Sequence, residues 1–553
     1  LDAITFISLA LLAGALAAAL LAGSRHAARS PAGATPFLVM IPVGALLLVF
    51  GAVRLVHLTR GVDTASGVSS VFLGVTCLSV MLWLIRAREA GRPAMAACIL
   101  PLLALGFYVY FQDQFGFFSW SSIVMHLDMG LSGADAVHDY MLETRRALLA
   151  TLLVAVGFAL LSACARGRRR LDVVFALLLL AVNPLTSPVL WAWEHYRNRH
   201  AQPVDLTAHY RAGPKIVSEP PVPLNLVHII LESAELTYTD AERFGDVMSP
   251  LAPYLDRGLN ALGVEQIASA AWSVAGMAAS TCGAPLLPFG LLGKNNFHHA
   301  RVLMPGAACI GDVLKARGYN LVFLTGVEPG FAGIDKVFLG HGFDRVVDAR
   351  PFAADPAQLN RWGSHDGVTL GAALRMLDSE LPAKQPFALY VKLIGGHAPN
   401  GFVSPECLTR SEITEIVEPL LRAVKCSNLL TAEFLKALDR MPFAGRTLVA
   451  VQSDHLAHKS PLSSVLDGLT RRNLFFLYGP GVARQINQRN ASHLDLYPTV
   501  LEALGLKLAD GGAGLGRSLL SPEPTLISRL GIASLDRSIE EDVALRRLLW
   551  NAR

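Results

Sequence analysis

Charge is what this sequence has least of. Asp, Glu, Lys and Arg together make up 17% of the 553 residues against 52% hydrophobic residues, a balance too apolar for an ordinary soluble protein. The formal net charge of +4 gives no reason to expect a nucleic-acid partner. Internal repeats and low-complexity tails are also missing, so neither organises the chain. Cysteine is sparse, with seven in all.

The apolar excess is local. It is gathered in the first 194 residues as six runs of near-spanning length, roughly 4–22, 37–56, 68–85, 94–111, 147–165 and 172–193. Six runs exclude a single signal peptide. The short loops carry their arginines unevenly: Arg25 and Arg29 in one, Arg86, Arg88 and Arg92 in another, Arg166, Arg168, Arg169 and Arg170 in a third. Such clusters face the cytoplasm, which puts the amino terminus, segment 112–146 and everything after Trp193 outside. Trp191, Trp193 and Tyr196 close the last run as an interfacial aromatic belt does. Segment 112–146, with Phe115, Phe117, Phe118 and Trp120 beside polar residues, reads as amphipathic structure on the outer membrane surface.

The expected organisation is therefore an α-helical transmembrane domain over 1–194, a polar, Pro-rich linker over 195–224, and an exported α/β domain over 225–553. In the last part, strand-like runs at 226–231, 319–325, 387–394, 447–452 and 474–478 alternate with helix-like stretches, the pattern of a parallel or mixed sheet covered on both faces. Cys77, Cys98 and Cys164 fall in predicted spans and read as small apolar residues. Cys282, Cys309, Cys407 and Cys426 fall in the exported part, an even number in an oxidising compartment, which points to two disulfides. Of three pairings, Cys282 with Cys309 and Cys407 with Cys426 closes the smaller loops; a zinc site of four scattered thiols is the alternative.

Two strands end in metal-binding chemistry. Leu226-Val-His-Ile-Ile-Leu-Glu232 delivers an acid at its carboxyl end, and Leu448-Val-Ala-Val-Gln-Ser-Asp454-His455 delivers an acid and an imidazole. Open α/β sheets build their sites outside the carboxyl edge of the strands. A hard divalent cation held by Glu232, Asp454 and His455 follows, with Mn²⁺, Mg²⁺ and Zn²⁺ all compatible. Between them, Trp272-Ser273-Val-Ala-Gly-Met opens a run of small residues through Pro285. Ser273 there is either a nucleophile activated at a helix amino terminus or a plain N-cap.

These residues resemble a known family. Leu231-Glu232-Ser233, Trp272-Ser273-Val-Ala-Gly-Met with Cys282-Gly-Ala-Pro-Leu, Cys309-Ile-Gly-Asp, Phe331-Ala-Gly-Ile-Asp335, His341-Gly-Phe-Asp344, Trp362-Gly, His397-Ala-Pro, Ser453-Asp-His455-Leu and Arg472-Asn-Leu-Phe-Phe476 occur in the order found in the phosphoglycerol transferase I family. That family modifies osmoregulated periplasmic glucans and is related to lipoteichoic acid synthases within the alkaline phosphatase and sulfatase superfamily. The resemblance covers roughly residues 225–520.

The resemblance implies a sulfatase/alkaline-phosphatase-like periplasmic domain on the bacterial inner membrane. It implies Glu232, Asp454 and His455 as ligands of one divalent ion, Mn²⁺ or Mg²⁺ before Zn²⁺, with Ser273 as nucleophile completing the shell. It implies His397 meeting the phosphoryl group, Asp335 and Trp362 at the substrate, and supports the short-range disulfides. The donor would be phosphatidylglycerol and the acceptor a periplasmic glucan. The family normally has Thr where this chain has Ser273, and Ser269 precedes it at the spacing of another family hydroxyl, so both serines stand as nucleophile positions. His493 and Asp495 resemble a superfamily element, with packing at a helix start as the other reading. The rival activity, phosphoethanolamine transfer to lipid A or a glycan, meets Asp-His-Leu here where that branch has Asp-His-Gly-Glu. A formylglycine sulfatase would need x-Pro-x-Arg after its modified residue, and Ser273 is followed by Val-Ala-Gly-Met.

Overall fold

The structure is a computed structural model that describes residues 204–286, 301–384 and 386–550. The six apolar runs and segment 112–146 lie outside the described residues, and among those described no helix is long and apolar enough to cross a membrane.

Eight strands form the central sheet: β1 Asn225–Leu231, β2 Leu259–Ala261, β3 Asn320–Thr325, β4 Arg345–Asp348, β5 Phe387–Lys392, β6 Thr447–Ser453, β7 Phe475–Tyr478 and β8 Gln485–Asn487. Their order is β8-β2-β7-β6-β1-β5-β3-β4. Strands β6, β1, β5, β3 and β4 pair in parallel, whereas β7 pairs antiparallel with both β6 and β2. All five expected strands are in the sheet. The three short ones, β2, β4 and β8, carry too few apolar residues in a row to stand out.

Every residue of β1, β5 and β6 is buried, which is why these strands read as unbroken apolar runs rather than as alternation. The two faces still sort by parity. Leu226 and Ile230 of β1, Leu448 and Ala450 of β6 and Ala388 and Tyr390 of β5 pack against helix α1, Ser273–Cys282. The odd-numbered Val227, Ile229, Leu231, Val449, Val451, Leu389 and Val391 pack on the other side, against α2, Asp366–Arg375, and α3, Pro419–Leu438. Each fully buried Leu, Ile or Val side chain contributes about 1.5–3 kcal/mol. Helix α3 starts on Pro419, with the Glu418 carboxylate accepting the Leu421 N–H at 2.7 Å, so its first turn is both preset and capped. Helix α4, Leu496–Ala503, joins α1 on its side of the sheet.

The described part of the Pro-rich stretch is docked on this domain. Leu206 is fully buried, and Ile216–Ser218 pairs antiparallel with Lys507–Leu508. Cys282 is bonded to Cys309 and Cys407 to Cys426, tying the end of α1 to the following helix and the Pro405–Cys407 turn to α3. Loops of 27 and 19 residues closed in this way are each stabilised by about 3 kcal/mol.

Candidate metal and nucleophile site

The parity that sorts the core also builds the site. Side chains alternate along a strand, so Ile230 leads to Glu232, Tyr390 to Lys392 and Gln452 to Asp454, all on the α1 side. Parallel pairing sets Ile230 beside both Gln452 and Lys392. The chain leaves β1 through Ser233, whose φ of 53° turns it sharply. The N–H of Ser233 then donates to Asp454 Oδ1 at 2.9 Å, which locks the two strand ends together.

Glu232, Asp454 and His455 are all buried and offer ligand atoms within 4.8 Å of one another. Ser273 meets this group from the first turn of α1: its Oγ lies 3.4 Å from Glu232 Oε2 and 3.2 Å from His455 Nε2. Small residues allow the approach. A Cβ at Gly276 would sit 1.9 Å from the Asp454 carbonyl oxygen, so only glycine lets α1 pack this close to the loop that carries Asp454. Ser269, the other serine singled out in the sequence, makes no hydrogen bond to this group. It lies in the short turn Ala268–Ala270, and its buried Oγ has no hydrogen-bond partner.

Lys392 is a residue that sequence reasoning missed. Its ammonium lies 2.6 Å from Glu232 Oε2 and 2.8 Å from Asp454 Oδ2, with its side chain only 4% exposed. Burial alone would raise the Glu232 carboxyl, but Lys392 and His455 beside it hold it well below the usual carboxylate range. Burial likewise works against a charged His455, and Asp454 and Glu232 outweigh it, pushing the imidazole up to about 9. The signal for Lys392 was available: it is the charged last residue of an apolar strand, on the same parity as Ala388 and Tyr390.

His397 follows the end of β5. A Cβ at Gly396 would meet the Glu232 carbonyl oxygen at 2.2 Å, so the turn bearing His397 runs directly against the Glu232 backbone. His397 Nδ1 lies 2.7 Å from the Ala398 carbonyl, an arrangement in which Nδ1 carries the proton. Burial lowers the pKa of the ring, partly offset by Glu232. Trp362 covers His397, with ring centroids 4.7 Å apart, and Phe331 meets Trp362 edge-on at 5.2 Å. Asp335 lies at the first turn of helix Ile334–Phe338, where Oδ1 accepts the Lys336 N–H at 2.9 Å; the cluster of Glu232, Asp454 and His455 does not include it.

Three further groups hold the site in place. Asp366 Oδ1 accepts the N–H groups of Ile394 and Gly395 at 2.9 and 3.0 Å, fixing the turn before His397. Glu235 accepts the Ala457 N–H at 3.0 Å and pairs with Arg471, which donates to the Ala457 carbonyl at 2.7 Å; together they clamp the loop after His455. His458 on that loop stacks beside His455, with centroids 4.5 Å apart. His493 and Asp495 are both buried: His493 Nε2 meets the Ser453 carbonyl at 3.1 Å, and Asp495 accepts the Ser492 N–H at 2.8 Å.

The donor set fits a hard divalent ion. Two buried carboxylates face one ammonium, and Asp454 Oδ2 has no aligned hydrogen bond although Lys392 is near. Oxygen and imidazole donors of this kind suit Mn²⁺, Mg²⁺ or Zn²⁺. A second group, Cys282, Cys309 and His341, also falls within 4.8 Å, but its two sulfurs are bonded to each other.

The Sulfatase family profile matches residues 224–506, just over half of the chain. The chain belongs to the Sulfatase family. Among curated proteins, phosphoglycerol transferase I of Citrobacter koseri is 31% identical over 487 residues, covering 85% of this chain and 62% of that protein. The phosphoglycerol transferase I of Escherichia coli O6:K15:H31 is 33% identical over 322 residues, 57% of this chain and 41% of that one. The chain thus spans between two fifths and three fifths of the length of these relatives. Among solved structures, the lipoteichoic acid synthase LtaP from Listeria monocytogenes is 16% identical with a TM-score of 0.48, over 63% of this chain and 98% of that one. The motif resemblance to phosphoglycerol transferases agrees with the two curated proteins.

Proposed function

We propose that the chain is a membrane-anchored phosphoglycerol transferase, with residues 1–194 as anchor in the bacterial inner membrane and residues 225–553 as a periplasmic catalytic domain. It takes phosphoglycerol from phosphatidylglycerol and gives it to a periplasmic glucan. The observation that carries this reading is the convergence of Ser273 Oγ on His455 Nε2 and Glu232 Oε2 at 3.2 and 3.4 Å, beside Asp454, in a relative of phosphoglycerol transferase I.

In the first step Ser273 Oγ attacks the phosphorus of the donor diester. The Oγ–P bond forms, the P–O bond to diacylglycerol breaks, and the proton lost from the serine hydroxyl is balanced by one taken up on the departing glycerol oxygen. An acceptor hydroxyl then attacks the same phosphorus and frees Ser273. A single divalent ion held by Glu232, Asp454 and His455, Mn²⁺ or Mg²⁺ in preference to Zn²⁺, would supply the Lewis-acid charge that favours the alkoxide and polarises the phosphoryl oxygens. His397, oriented by its bond to the Ala398 carbonyl, directs its other nitrogen toward a phosphoryl oxygen, and Trp362 fixes the ring against rotation. Asp335 is assigned to the substrate, as the motif resemblance implies.

The test is transfer itself. Full-length protein in vesicles of phosphatidylglycerol labelled in its headgroup glycerol should move label onto purified periplasmic glucan and leave diacylglycerol. Label that stays in lipid under these conditions, while ethanolamine-labelled phosphatidylethanolamine donates, would replace the proposed donor.

A further inference from the structure

Lys392 has no part in the chemistry set out above, yet its charge is buried against both acids of the site. Its side chain is 4% exposed, and the carboxylates it touches, Glu232 and Asp454, are 1% and 0% exposed. Its ammonium stands 2.6 Å from Glu232 Oε2 and 2.8 Å from Asp454 Oδ2, and donates to the Leu393 carbonyl at 2.9 Å. The backbone cannot carry it away, because Lys392 ends β5 in register with Ile230 on one side and Thr325 on the other. The other basic group, His455 Nε2, is farther from both acids, at 3.3 Å from Glu232 Oε1 and 3.5 Å from Asp454 Oδ2.

Two carboxylates buried this deeply cannot be left without compensating charge. We propose that Lys392 is a positioning residue that acts as the resident cation of the site: its ammonium holds Glu232 and Asp454 together whenever no divalent ion is bound, and it competes with that ion for the same oxygens. The proposal rests on the metal reading given above. It separates two quantities that ordinary structural damage would move together. Removing the ammonium should weaken the fold of the metal-free protein and, because apo-state stabilisation and metal binding are linked, should tighten metal binding.

The experiment uses full-length protein in detergent micelles, stripped with chelator or saturated with Mn²⁺. Lys392→Met should unfold at least about 5 °C below the unsubstituted protein in chelator. The gap should close in Mn²⁺, and the Kd for Mn²⁺ by calorimetry should fall at least about tenfold. Lys392→Arg, which keeps the charge, should stay near the parent in both measurements. Weaker Mn²⁺ binding in Lys392→Met, or identical melting in chelator, overturns the proposal. If Lys392→Met folds in neither condition, the double variant Lys392→Met with Glu232→Gln decides, since it removes one charge of each sign; its failure to fold would show a packing role and overturn the proposal as well. A parent protein that binds none of Mn²⁺, Mg²⁺ and Zn²⁺ sinks the metal reading and the proposal together, whereas a parent that binds Mn²⁺ beside an indifferent Lys392→Met sinks only the proposal.

Discussion

Glu232, Asp454 and Lys392 are three charges that water would keep apart and that this domain buries within 2.6–2.8 Å contacts. Breaking such a network by removing one partner typically costs about 3–5 kcal/mol, because the remaining charges stay buried. Ser273 differs, since its hydroxyl is neutral and sits at the mouth of the cluster. The two kinds of residue therefore separate under mutation. Asp454→Asn should lose bound metal and turnover together, with a clear drop in unfolding temperature, while Ser273→Ala should stay folded, keep most of its metal and lose turnover. Metal analysis alongside activity checks this; full metal occupancy in Asp454→Asn would remove Asp454 from the ligand set.

Strand ends are what made the cluster of Glu232, Asp454 and His455 legible in the sequence. The apolar runs ending at Leu231 and Ser453 announced two buried parallel strands, and an acid one step beyond each announced a site at their carboxyl edge. The same argument applied to Phe387–Lys392 would have found Lys392. Other parts were not readable from local pattern. The Glu235–Arg471 clamp joins residues 236 positions apart, and strands of three residues such as Leu259–Ala261 exist only because β7 and β8 offer them partners. Helix α1 shows the closest coupling of sequence to site, because its small residues bring Ser273 to the cluster. Gly276→Ala would force a methyl group to 1.9 Å from the Asp454 carbonyl. We expect a loss of about 1–3 kcal/mol in stability, from overpacking, and a fall in metal retention as Ser273 and Asp454 separate. Thermal unfolding with metal analysis tests this, and a variant indistinguishable from the parent would show that α1 can move without cost to the site.

Taken as a whole, the described domain is a sheet with helices on both faces, stapled by two disulfides, whose single acidic centre lies where α1 meets the carboxyl ends of β1, β5 and β6. On the proposed reading, the six apolar runs that precede it, with their arginine-rich loops, would anchor the enzyme in the bilayer that carries its lipid donor. The chemistry proposed for that centre is a serine that accepts a headgroup phosphate from a lipid. The most direct test is to incubate full-length protein with phosphatidylglycerol, without acceptor, and to map the adduct by peptide mass spectrometry. A phosphoglycerol mass on the peptide containing Ser273, absent in Ser273→Ala, is the predicted result. An adduct on Ser269, a phosphoethanolamine adduct when both lipids are offered, or diacylglycerol release with Ser273 unmodified in rapidly quenched samples would contradict it.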